Sequence, residues 1–264
     1  MSCWILLRGL TRERRHWGDF PDLLQTALPA ARIVAIDLPG TGNLNATKSP
    51  TRIEDIASHC RAQAKNLGLQ PPFHILAMSL GAMVAVAWAN AHPNEVGSCV
   101  LVNTSLRRYS PFHHRLQPRS YASLLQLLLP GTDRAREAIV FKLTSRRADA
   151  MSEVLDGWIS YRRECPVSAG NALRQLLAAA RYRASPNSPS ARLLILAGMG
   201  DMLVHPECSR RLAQAWQTNY AEHPWAGHDL ALDDGAWVAR RVADWWSPSD
   251  TKHQPAPERE SGQS

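Results

Sequence analysis

The sequence predicts an α/β protein: a doubly wound, mostly parallel sheet of about six strands, interrupted by a helical insertion. Three observations predict it. Short apolar runs alternate with segments of helical spacing along most of the chain. The runs are apolar at consecutive positions, as strands buried on both faces require. One stretch of about eighty residues carries helical patterns and no strand-like run.

Taken in order, the first runs are Trp4 to Leu7 (WILL), Arg32 to Ile36 (RIVAI) and Phe73 to Ala77 (FHILA), each closed by Gly, Pro or a polar turn. Helical spacing lies between them, at Phe20 to Ala27 and at Ile53 to Asn66, the second opened by Ser49-Pro50-Thr51 and stopped at Gly68. A helix is predicted over Gly81 to Ala91, then strands over Cys99 to Val102 (CVLV) and Leu193 to Ala197 (LLILA). Helices are predicted at Pro206 to Trp216 and Ala236 to Trp246, with the apolar-polar segment Asn219 to Pro224 between them. From Leu106 to Ser190 the helix-like stretches are Tyr121 to Leu129, Ala135 to Thr144, Met151 to Arg163 and Ala172 to Arg183. So few residues make a poor core of their own, and a cap over the sheet edge is the economical reading. The expected organisation is therefore a core from 1–106 and 190–247, a helical cap from 107–189, and a disordered tail over 248–264, which has no apolar anchor.

Composition narrows the classes further. The chain has 264 residues, 45% apolar and 20% charged, which excludes a disordered or fibrous protein. Its most apolar run, Ile75 to Ala89, falls short of the roughly 20 residues that cross a bilayer, so no membrane span is expected. The N-terminus lacks a basic segment ahead of its apolar residues and does not read as a signal peptide. Cys3, Cys60, Cys99, Cys165 and Cys208 are odd in number and without ligand spacing, which fits a reducing cytoplasm and no metal. The net charge of +7 rests on 26 Arg against 4 Lys, the mark of codon bias more than of an acidic partner. Basic residues interleaved with aromatics are missing, as is any nucleic-acid-binding signature, so no nucleic acid is expected.

The chemistry centres on Ala77-Met78-Ser79-Leu80-Gly81, between a predicted strand and a predicted helix. A serine lifted above the strand ends needs small residues two before and two after it, here Ala77 and Gly81. Alone, the motif reads equally well as a serine capping a helix. A hydroxyl becomes a nucleophile only beside a base, and the base needs a carboxylate to orient it. Asp201 stands in a glycine-rich turn after the fifth strand, and His228 on a loop before the last helix. Of the ten histidines, only His228 has that position; His113 and His114 in the insertion are placed to line an entrance. Three separate structural roles would have to coincide in the order Ser, Asp, His for this to be accidental.

With these motifs in hand, the chain resembles the α/β-hydrolase fold family, of the capped serine carboxylesterase type, over Trp4 to about Trp246. The resemblance is tightest at Trp4 to Leu10 with Trp17, at Asp37-Leu38-Pro39-Gly40-Thr41-Gly42, and at Ala77 to Gly81 with Asp201 and Gly227-His228. It implies Ser79 as nucleophile, His228 as general base and then acid, and Asp201 as the group orienting the imidazole. It implies an oxyanion hole from the Leu10 and Leu80 amides and substrate contacts at Arg8, Trp17 and Met78. No cofactor is implied, because a triad supplies its own base and nucleophile. The sequence departs from the pattern where Arg8 replaces the usual histidine, where a serine after Gly42 is missing, and where the N-terminal hairpin is absent. Arg8 would attract a substrate carboxylate or phosphate at the mouth, or face solvent.

The insertion carries 14 Arg and Lys against 6 Asp and Glu, with leucines at 124, 125, 127, 128, 129, 173, 176 and 177. Leucines facing the sheet would bind an acyl chain, and cations outside would dock an acidic acyl carrier protein. Alternatively, the leucines pack the insertion down and the arginines are solvated. The expected function is a serine hydrolase acting on a small-molecule acyl ester or thioester; the alternative is a catalytically silent scaffold that binds a ligand or a protein.

Overall fold

A computed structural model describes residues 2–246, so the tail expected over 248–264 lies outside the described residues. Six strands form one parallel sheet: β1 (Ser2–Leu7), β2 (Ala31–Ile36), β3 (Phe73–Met78), β4 (Val96–Val102), β5 (Arg192–Gly198) and β6 (Asn219–His223). Their spatial order is β2-β1-β3-β4-β5-β6. The direction of winding therefore reverses between β1 and β3, the kind of switch point beside which open α/β sheets bind their ligands.

Among the described residues ten α-helices flank the sheet or sit above it: α1 (Phe20–Ala27), α2 (Ile53–Asn66), α3 (Leu80–Ala91), α4 (Phe112–Arg115), α5 (Tyr121–Gln126), α6 (Asp133–Thr144), α7 (Met151–Glu164), α8 (Ala169–Arg181), α9 (Glu207–Trp216) and α10 (Leu230–Trp245). Because side chains alternate along a strand, each strand feeds both faces. Ile5, Leu7, Ile75, Ala77, Cys99, Leu101 and Ile195 pack with α2, α3 and α9. Trp4, Leu6, Leu76, Met78, Val100, Val102 and Leu196 pack with α1 and α10. Helix α3 is buried from Leu80 to Ala89 on all sides, which is why its sequence is apolar without a polar face.

Helix boundaries differ from expectation where caps override the apolar pattern. Thr132 and Ser168 accept from the amides of Ala135 and Asn171, starting α6 and α8 at Asp133 and Ala169, ahead of their first periodic residues. Helix α10 begins at Leu230 instead of Ala236, because the Asp229 side chain caps a first turn that is separated from the rest by a kink at Asp234 (φ −151°).

Helices α4 to α8 all lie between β4 and β5, and only a small cluster of Phe141, Leu155 and Trp158 forms an apolar centre among them. Polar contacts bind them to the rim of the sheet. Gln175 donates to Pro39 O and accepts from the Thr11 amide; Gln117, Arg119 and Ser120 donate to the carbonyls of Asp201 and Met202. Glu137, fully buried, takes Arg12 at 2.8 Å and Arg162 at 3.0 Å. Five of the eight leucines singled out in the insertion, Leu125, Leu128, Leu129, Leu173 and Leu176, are exposed and pack nothing down, whereas Leu124, Leu127 and Leu177 are half-buried.

Candidate active site

Ser79 stands between β3 and α3 with φ 55° and ψ −114°, a conformation that side-chain-bearing residues rarely adopt. The turn is possible because its neighbours are small. A Cβ on Gly81 would lie 2.5 Å from Arg8 O and 2.6 Å from Leu7 O, so α3 could not start so close to the end of β1. Gly9 faces the serine at a less severe distance: a Cβ there would lie 3.2 Å from Ser79 Cβ and 3.7 Å from its Oγ. The Ser79 side chain thus stands beside the loop after β1, at the end of β3 where the winding reverses.

Ala82 is the first amide of α3 to bond back to Ser79 O, at 3.1 Å. The Leu80 amide therefore belongs to the open first turn of the helix, where unpaired N–H groups and the helix dipole favour negative charge. Leu10 follows Gly9 on the facing loop, in the position expected of the second donor.

Asp201 follows β5 and is buried. One carboxylate oxygen accepts the Leu203 and Val204 amides at 2.8 and 3.0 Å; the other lies 2.7 Å from His228 Nδ1. That contact places the Nδ1 proton against the carboxylate and leaves Nε2 free to accept. Burial works against a charged His228 ring, but the charge and hydrogen bond of Asp201, helped by Asp229, outweigh it and raise the pKa above the ordinary 6.5.

Arg8, Trp17 and Met78 are all buried and gather around one guanidinium. The Arg8 guanidinium is 2% exposed, grips both carboxylate oxygens of Asp229 at 3.0 and 2.6 Å, lies 4.7 Å from the Trp17 ring and reaches Met78 Sδ at 3.9 Å. This corrects the expectation that Arg8 binds a substrate anion or faces solvent: a buried cation needs a partner, and Asp229 already supplies it. His114 stacks on His205 with ring centroids 4.7 Å apart.

Sequence reasoning missed Asn103, which follows β4 with φ 46°. Its Nδ2 donates to the carbonyls of Gly227 and His228 at 2.9 and 2.8 Å, and its Oδ1 accepts the Gly198 amide at 2.8 Å. A buried polar residue immediately after a core strand was the available signal.

The sequence profile described as the alpha/beta hydrolase family matches residues 4–241. The chain is 29% identical over 105 residues to the biotin biosynthesis bifunctional protein BioHC of Teredinibacter turnerae, which covers 39% of this chain and 17% of that protein. It is 33% identical over 110 residues to 2-hydroxy-6-oxononadienedioate/2-hydroxy-6-oxononatrienedioate hydrolase 2 of Pseudomonas putida, covering 41% of this chain and 38% of that one. The matches thus span well under half of either curated relative. The crystal structure of the enol-lactonase from Burkholderia xenovorans LB400 superposes with a TM-score of 0.73 at 19% identity, covering 92% of this chain and 90% of that one. A thermophilic esterase from Thermogutta terrifontis gives 0.68 at 20% identity, covering 93% and 89%.

Proposed function

We propose, from the premise that the chain belongs to the alpha/beta hydrolase family, that it is a serine hydrolase cleaving carboxylic esters or thioesters through an acyl-enzyme. The observation that carries the reading is the 2.7 Å contact between His228 Nδ1 and the Asp201 carboxylate, on the rim that also carries the strained Ser79.

In the first half-reaction, Ser79 Oγ attacks the carbonyl carbon while His228 Nε2 takes its proton. The charge that develops on the carbonyl oxygen is received by the Leu10 and Leu80 amides and the N-terminal end of α3. Collapse expels the alkoxide or thiolate, which takes the proton back from His228. In the second half, His228 deprotonates a water that attacks the acyl carbon, and Ser79 leaves with that proton. One ester and one water yield one acid and one alcohol or thiol, and no cofactor enters.

The substrate is an acyl ester over which the helices α4 to α8 serve as a cap; the surplus of cations in this insertion would suit an acidic carrier protein as the acyl donor, against a background of arginine excess throughout the chain. The five free cysteines favour a reducing, cytoplasmic setting. None of the described helices is long and apolar enough to cross a membrane.

A fluorophosphonate probe tests the reading directly. Labelling of the wild type that disappears in Ser79→Ala is the expected result; a folded wild type that takes no label would favour the catalytically silent scaffold. A p-nitrophenyl ester series of increasing acyl length then sizes the pocket.

A further inference from the structure

Arg8 and Asp229 lie 221 positions apart, yet each adjoins a residue the proposed chemistry uses. Arg8 precedes Gly9 and Leu10, the loop that faces Ser79; Asp229 follows His228 directly. Their side chains meet in the interior as a two-pronged pair, Nη1 to Oδ1 and Nη2 to Oδ2. A planar guanidinium gripping a carboxylate at two points fixes both distance and orientation, which a single ammonium contact does not.

Each end of the pair is braced. Trp17 lies against the guanidinium, with Cζ 4.7 Å from its ring centre. Asp229 caps α10 by accepting from the Leu232 amide, and its own amide donates to Thr144 O at 2.7 Å. We infer that Arg8 and Asp229 are a positioning pair that holds the Leu10 loop in register with the His228 loop. The inference rests on the proposed function for what those loops do, but not for the geometry itself.

The pair also brackets the imidazole electrically. The charged groups around His228 are Asp201 after β5, Asp229 at the start of α10 and Arg8 after β1; Asp233 reaches the loop through the Gly227 amide. From the insertion, the Arg119 guanidinium donates to the Asp201 carbonyl and that of Arg146 to the Gly200 carbonyl, while the Arg146 main-chain amide donates to the Asp233 carboxylate. Asp229 favours the charged ring and Arg8 disfavours it, so removing one partner exposes the other.

The test compares Asp229→Asn, Arg8→Gln, the double variant and Arg8→Lys, each checked for folding by circular dichroism. Two quantities are read: the His228 pKa, by NMR titration of labelled imidazole, and the rate at which a fluorophosphonate acylates Ser79. The expected result is a lower His228 pKa in Asp229→Asn, a higher one in Arg8→Gln, each by about half a pH unit, and a return in the double variant. Arg8→Lys keeps the charge and the pKa but, like the others, slows acylation by roughly 10-fold or more. Shifts in the same direction in both single variants, or a wild-type rate in Arg8→Lys, would overturn the positioning pair. Should Arg8→Gln fail to fold, Asp229→Asn and Arg8→Lys decide between the same outcomes. Absence of label on the wild type would count against the serine mechanism alone, because the NMR arm needs no turnover.

Discussion

The side-chain amide of Asn103 donates to the main-chain carbonyl of His228 across 2.8 Å. Because its oxygen also accepts from Gly198, one buried side chain joins the end of β5, which leads to Asp201, to the loop that carries the imidazole. The separation of carboxylate and ring is thus fixed by a third residue that touches neither side chain.

Asn103→Ala should therefore leave the Gly198 amide and the Gly227 and His228 carbonyls unpaired in the interior. The expected cost is about 2–4 kcal/mol of stability, read by urea unfolding, together with slower acylation of Ser79. Unchanged values of both would show that the amide holds nothing in place.

Gly81→Ala should be more damaging than an ordinary helix substitution, since the new methyl would meet the Leu7 and Arg8 carbonyls and neither can swing aside. A loss of about 3 kcal/mol or more, or failure to fold, is expected from overpacking against backbone. Gly131→Ala, at a site where a Cβ meets nothing within 4 Å, is the matched control and should be nearly neutral.

The pH profile of kcat/KM should fall on the acid side through the His228 pKa. A general base must be neutral to accept, and the charged ring is favoured here by Asp201 and Asp229 over the opposing effect of burial, so that limb lies above pH 6.5. Activity that held level down to pH 5 would exclude His228 as the base.

His74 acts in the opposite sense on stability. Burial, with the charge of Arg192, lowers its pKa to about 4, and its ring stacks on Trp4 while Nδ1 meets Ser98 Oγ at 2.8 Å. The unfolded chain takes the proton at higher pH than the folded one. Its contribution is therefore complete above pH 6.5 and is lost as the pH falls towards 4, about 3 kcal/mol in all. Chemical denaturation of wild type and His74→Gln over that range should show a shallower pH dependence in the variant; parallel curves would contradict the assignment.

Much of the fold was legible because buried parallel strands leave a local trace. WILL, FHILA and LLILA each became a strand within a residue or two of the expected limits, and Ile53 to Asn66 became a helix with those very ends. Ser79, Asp201 and His228 were singled out for a related reason, since each follows a strand; the structure puts Asp201 2.7 Å from His228 Nδ1 and starts α3 directly after Ser79. What stayed hidden depends on residues distant in sequence. Nothing near Arg8 announces Asp229, nothing near Asn103 announces Gly198 or His228, and the outward leucines of α5 and α8 carry a helical pattern without saying which side faces the sheet. The early start of α10 was obscured by the kink at Asp234, which splits one helical period into two.

The anchorage of the insertion has one more consequence. Gln117, Ser120 and Gln175 donate to carbonyl oxygens of the rim, an acceptor that every residue type presents. The grip is therefore written in the visiting segment and left blank in the ground it stands on. Exchanging Met202 for another residue keeps its anchor, whereas exchanging Ser120 for alanine erases it. A lineage could redraw the lettering around Ser79 many times and still wear the same roof.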